Sequence, residues 1–175
     1  MSLKGKFIAV LAENGYEDLE LWYPLLRMKE EGAEVVVVGS GTSDVYQSKH
    51  GYEVKVDKSA KEVDAKDFDA VLIPGGIAPD RLRRYPTVVK FVREAFEQGK
   101  VVGAICHAAS VLVSAKILKD RTVTCFMSIK DDVENAGAAY VDQEVVRDGN
   151  LITSRVPKDL PAFCREIISA LIEEK

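Results

Sequence analysis

Val101 to Ser110 reads VVGAICHAAS, an apolar run that ends on Cys106 and passes at once into small residues. A strand that turns directly into a helix holds its last residue on a strained elbow, which tolerates only small residues two positions before and after it. Ala104 and Ala108 meet that condition around Cys106. At a helix N-terminus the free N–H groups and the positive end of the dipole favour a thiolate, so Cys106 is expected to carry a depressed pKa. His107 is the candidate base. Adjacent side chains diverge on a sharp turn, so a carboxylate from elsewhere is expected to orient the imidazole. Two acids follow other strand ends, Glu17 after the first strand and Asp80 after Pro74-Gly75-Gly76. Glu17 has a second possible task, sharing a proton with the thiolate or donating to the sulfur as a neutral acid. The N–H groups of Gly75 and Gly76, with those of the helix, are the candidate oxyanion hole.

Each of these residues also has a plainer role to be weighed. A free cysteine is most often a small buried hydrophobe, and an acid at a helix start is most often a cap. For Cys106 the strand end, the small flanks, the adjacent imidazole and the facing glycine pair favour a nucleophile. Cys125 and Cys164 lack that company; the first is read as a strand residue and the second as core packing.

The elements that must position these residues follow from the pattern. Lys6 to Ala12 is a continuous apolar run of the kind buried on both faces of a sheet. Asp18 to Glu31 carries Leu19, Trp22, Leu25, Leu26 and Met28 at helical spacing, with Pro24 as an expected kink and Gly32 as a stop. Ala33 to Gly39 holds four consecutive valines. Strand, helix, strand makes a βαβ unit and a parallel sheet. Val45 to Val56 reads as a hairpin or a pair of short edge strands. The α/β alternation resumes with strands at 68–73 and 101–105 and helices at 87–98 and 108–115. It closes with a strand near 122–125, a helix near 129–135, strands at 144–146 and 151–153, and a helix at 160–174. Residues 1–175 are expected to form one α/β domain.

Composition removes several classes of function. The 175 residues carry 24 Lys plus Arg against 28 Asp plus Glu, a formal charge of −4, with both signs scattered. No basic block suggests a nucleic-acid footprint, and no apolar stretch approaches the ~20 residues of a membrane span. Three cysteines without a CxxC pair argue against a disulfide framework, and the N-terminal segment has no signal-peptide core, so a cytoplasmic protein is expected. Two histidines are too few for an ordinary catalytic zinc site, and no metal or cofactor is expected. Asn14-Gly15-Tyr16-Glu17 is acidic where a phosphate loop would lie, which disfavours a flavin-type ligand.

The chain resembles the PfpI family of intracellular cysteine peptidases and protein deglycases, relatives of the Parkinson-associated deglycase. The likeness runs through Gly15 to Leu21 (GYEDLEL), Tyr23-Pro24, Met28 to Gly32, His50-Gly51-Tyr52, Pro74 to Pro79 (PGGIAP) and Ile105-Cys106-His107. It continues through Ile129 to Asp132, Val141-Asp142, Glu144 to Val146 and Asp148 to Arg155. The resemblance implies a flavodoxin-like three-layer α/β/α sandwich with a mostly parallel sheet. It implies that Cys106 is the nucleophile with His107 beside it, that Glu17 is the buried glutamate bonded to the sulfur, and that Asp80 reaches a histidine across a subunit interface. A homo-oligomer, dimer or hexamer, follows from it. The implied activity is a cysteine hydrolase acting on a peptide, a glycated protein or a small aldehyde, including glyoxalase III-like conversion of methylglyoxal. The chain departs from the family at Ala108-Ala109, commonly Gly-Pro, at Phe126, often tyrosine, and at Asp80, more often glutamate. A stress-response or redox-sensing protein with an oxidisable Cys106 is the second expectation.

Overall fold

The structure, a computed structural model, describes residues 2–173. Phe7–Ala12 forms β1 and buries every residue after Phe7. Helix α1 spans Asp18–Glu30 and runs through Pro24 without a break. Glu34–Gly39 is β2, paired in parallel with β1 from Phe7 opposite Glu34 to Ala12 opposite Gly39. Val45–Gln47 (β3) and Glu53–Lys55 (β4) pair antiparallel, and Lys58–Ser59 (β5) adds beside β2. Ala70–Ile73 is β6, followed by a short helix α2 (Ala78–Leu82) and by α3 (Pro86–Glu97). Val101–Ile105 is β7; a 3-10 turn over Cys106–Ala108 leads into α4 (Ala109–Ala115). Then come β8 (Thr122–Val123), α5 (Lys130–Asn135), β9 (Ala139–Tyr140), β10 (Val145–Asp148), β11 (Leu151–Ser154) and α6 (Leu160–Glu173). The expected end of the last helix at Glu174 lies outside the described residues.

Among the described residues the central sheet has seven strands in the order β10-β11-β7-β6-β1-β2-β5, parallel except for β10. Its inner five, β2-β1-β6-β7-β11, follow the flavodoxin-like 2-1-3-4-5 winding. One apolar core packs Val88, Phe91, Val111 and Leu112 of α3 and α4 on one face, and a second packs Leu21, Met28, Phe163 and Ile167 of α1 and α6 on the other. This is the expected three-layer sandwich. Both faces being covered explains the unbroken apolar strands.

Three local features differ from the sequence expectation. The 45–56 hairpin and the 122–123 strand stand off the main sheet as separate two-stranded pairs, β3-β4 and β8-β9. The physical reason is edge occupancy: β5 takes the free edge of β2, and β7 is already paired by β6 and β11. Helix α2 has only five residues, too few for periodicity to announce it. No helix among the described residues is long and apolar enough to cross a membrane.

In this winding, the strand order reverses at β1: β2 lies on one side of it and β6 on the other, both parallel to it. A crevice opens at the carboxyl ends of strands where the order reverses. The loops after β1, β6 and β7 meet there, and they carry Glu17, Gly75-Gly76 and Cys106.

Candidate active site

Cys106 adopts φ 63, the left-handed region, in a residue that is not glycine. L-residues enter that region at a cost of about 1–2 kcal/mol, which persists where the surroundings over-determine it. Here β7 ends at Ile105 in extended backbone and the chain must turn at once into the 3-10 turn. The expected elbow is present, with Ala104 and Ala108 buried on either side. Cys106 is buried, and its Sγ lies 3.3 Å from His107 Nδ1. The backbone N–H groups of His107 and Gly76 point at the sulfur.

The carboxylate at the sulfur is Glu20, which sequence reasoning missed. Glu17 does not take that place: it caps α1, its side chain accepting the Glu20 N–H at 3.0 Å, while remaining at the cavity wall. Glu20 sits one turn on, 2 % exposed, and accepts the Gly75 N–H at 2.8 Å. A glutamate three residues into a helix ordinarily reaches back to the cap N–H, but the Glu17 N–H already donates to Gly75 O at 3.1 Å. Glu20 is thereby released to turn inward. The one available signal was its place as the third residue of α1, after an acidic cap. Burial, reinforced by the nearby Glu17 charge, raises Glu20 to about 7, and its Oε1 has no partner other than the sulfur.

Cys106 itself is pushed up to about 12, first by burial and then by the Glu20 carboxylate. The sequence expectation of a depressed thiol pKa is therefore corrected. The N–H groups of His107 and Gly76 favour the thiolate, but withdrawal from water and a facing carboxylate outweigh them. Thiol and carboxyl face each other, and each raises or lowers the other's affinity for a proton.

The proposed oxyanion hole is corrected in the same way. Gly75 spends its N–H on Glu20, so Gly76 and His107 are the donors facing the sulfur. Gly75 is nonetheless indispensable sterically. A Cβ there would lie 2.3 Å from Glu20 Oε2 and 2.7 Å from Cys106 Cβ. Gly75→Ala is expected to destabilise the fold by roughly 1–3 kcal/mol and to disable the site. A variant melting with the parent and retaining its rate would contradict this packing.

The His107 ring stacks on Phe126, centroids 4.8 Å apart, and its Nε2 meets Ser128 Oγ at 3.2 Å. Burial and then the Lys49 charge lower its pKa, favouring the neutral imidazole. Asp80 is an exposed residue of α2, paired with Arg84, at the wall of the same cavity. Among the described residues no carboxylate hydrogen-bonds to His107. The cavity has a volume of about 600 Å³, with Ile77, Phe126, Ile129, Val156 and Pro157 on its apolar side. Cys125 and Cys164 are buried, and burial holds both thiols at about 12.

Residues 6–170 match the model of the DJ-1/PfpI family. The chain belongs to that family. The deglycase PfpI of Pyrococcus furiosus is 46% identical over 164 residues, covering 94% of this chain and 98% of that one. YraA of Bacillus subtilis, whose name marks it as a candidate cysteine protease, is 44% identical over 166 residues, covering 95% and 98%. The crystal structure of Drosophila melanogaster DJ-1beta superposes with a TM-score of 0.89 at 29% identity, over 95% of this chain and 90% of that one. Membership in the DJ-1/PfpI family agrees with the layered sheet and with an elbow at Cys106.

Proposed function

We propose that the protein is a cysteine-dependent hydrolase of the deglycase type, acting on early carbonyl adducts of amines and thiols and on the parent 2-oxo aldehydes. The carrying observation is Cys106 on its strained elbow, with His107 Nδ1 at 3.3 Å and two N–H groups facing the sulfur. The deglycase name of the Pyrococcus relative supports this substrate class over peptides.

With Glu20 protonated, Cys106 passes its proton to His107 and attacks the aldehyde-level carbon of the adduct. A C–S bond forms, the bond to the modified amine or thiol breaks, and His107 returns the proton to that leaving group. The same hemithioacetal forms directly from a free aldehyde, its oxygen held by the N–H groups of Gly76 and His107. Its hydrogen moves to the neighbouring carbonyl carbon through an enediolate, leaving a thioester. Water cleaves the thioester to a 2-hydroxy acid and the free thiol. We place the enzyme in the cytoplasm and infer a homo-oligomer, dimer or hexamer, in which Asp80 of a neighbouring copy is offered to His107.

The experiment is incubation with the methylglyoxal adducts of N-acetylcysteine and N-acetyllysine. Release of the free thiol or amine with matching lactate, over many turnovers per protein, is the expected result. A sensor role has its own support in Glu20, which near neutral pH carries a proton to donate to an oxidised sulfur. Peroxide-driven oxygen gain at Cys106 without any adduct release would replace the hydrolase by that sensor.

A further inference from the structure

Lys49 sits in the loop between β3 and β4, yet it lines the Cys106 cavity. Its backbone is fixed from several directions. Lys49 N–H donates to Tyr16 O at 2.9 Å, and Ser48 Oγ donates to Asp18 Oδ1 at 2.6 Å. His50 Nδ1 meets Asp18 Oδ2 at 2.7 Å. The loop is thus tied to the start of α1, the segment that also delivers Glu20. The Lys49 charge is felt at both Glu20 and His107.

The other charges at the cavity are largely committed. Arg83 donates through Nε to Ser114 Oγ at 2.8 Å, Asp80 pairs with Arg84, and Glu17 caps α1. Neither Lys49 nor Arg83 makes an ion pair among the described residues, but the Arg83 guanidinium is held by Ser114 whereas the Lys49 ammonium has no side-chain partner. Glu17 and Glu20 would repel an anion from the sulfur, and one uncommitted ammonium offsets them. The lining also has an apolar part, formed by Ile77, Phe126 and Val156. A ligand with a small apolar end and an anionic end matches that asymmetry.

We propose that Lys49 is the specificity residue through which the site takes electrophiles bearing a carboxylate, such as 2-oxo acids with a reactive aldehyde, and holds the 2-hydroxy acid product. This rests on Cys106 being the nucleophile of the site. Lys49 is exposed at the mouth of the cavity, where low-dielectric walls focus its field on an entering carboxylate more than bulk water would allow. The attraction orients the neighbouring carbonyl toward the sulfur without any contact to the reacting carbon.

Alkylation by iodoacetate and iodoacetamide tests this without depending on turnover. The two reagents are nearly equal in size, and each transfers its methylene carbon to the Cys106 sulfur with loss of iodide. Their rate ratio therefore cancels the thiolate fraction and isolates the effect of the carboxylate. Labelling is read by peptide mass at Cys106, with N-acetylcysteine as baseline. The iodoacetate to iodoacetamide ratio is expected to exceed that baseline by about tenfold at low salt and to shrink as salt rises. Lys49→Met should bring it to baseline, Lys49→Arg should keep most of the gain, and Arg83→Met should leave it in place. A ratio unchanged in Lys49→Met, or lost in Arg83→Met instead, overturns the role of Lys49 while leaving the nucleophile standing. Failure of both reagents to label Cys106 overturns the nucleophile and this proposal together.

Discussion

Replacing Cys106 by alanine is expected to lower adduct release by roughly 10³-fold or more, the usual scale for deleting a covalent nucleophile. The cysteine is held at φ 63, and that geometry gives a second, independent readout. Alanine keeps the left-handed strain, whereas glycine occupies the region freely. Cys106→Gly is therefore expected to be more stable than Cys106→Ala by about 1 kcal/mol, or about 2–4 °C in Tm for a domain of this size. Both variants should be equally inactive. Rates separate the chemical role from the conformational one, and melts by circular dichroism measure the latter. If the glycine variant melts below the alanine variant, the elbow stores no strain.

Glu20→Gln is expected to show the next largest effect, on both rate and pH dependence. Glu20 is raised from the usual 4.5 to about 7, first by burial and then by Glu17. The folded state therefore holds this proton more tightly than the unfolded chain does. Its contribution to stability is fully present below about pH 4.5, declines as pH rises, and is lost once pH passes 7. The total is about 3 kcal/mol. Urea melts of the parent should lose that amount relative to Glu20→Gln between pH 4 and pH 8. Glutamine cannot supply the acidic O–H that a protonated Glu20 offers the thiolate, so adduct release should fall by about 10²-fold and lose its dependence near pH 7. Parallel stability curves for the two proteins would show that Glu20 does not titrate with Cys106.

The layered fold was legible because each strand and each long helix carries its own period or its own stop. The apolar run after Lys6, the four valines before Gly39, and Gly32 and Gly99 after their helices are local statements. Local statements survive folding when both faces of a sheet are to be covered. The elbow at Cys106 was legible for the same reason, since small flanks and a strand end are properties of ten adjacent residues. The hairpin at 45–56 and the strand at 122 were visible as elements but not as outsiders to the main sheet. Which strand has a free edge depends on every other strand.

The site shows the same division more sharply. Glu17 and Glu20 differ by one helical turn, and both are acids at the start of α1. Which one faces the sulfur depends on the Gly75 carbonyl taking the Glu17 N–H and the Gly75 N–H receiving the Glu20 carboxylate. That exchange joins residues from two different strand ends, so no spacing in the chain records it. The thiol pKa was misjudged for a related reason. A helix N-terminus is a local feature, but the burial and the facing acid that push Cys106 to about 12 come from other elements. Lys49 likewise reaches the cavity only because its loop is tied to Tyr16 and Asp18.

The sequence by itself determined the α/β alternation, the elbow at Cys106 and the family. Tertiary structure alone decided which acid lies against the Cys106 sulfur, which glycine N–H faces it, and which cation stands at the mouth of the cavity. Periodicity and small-residue flanks act between neighbours in the chain. Desolvation, charge coupling and hydrogen-bond exchange act between neighbours in space, and those are set only when β1, β6 and β7 lie side by side.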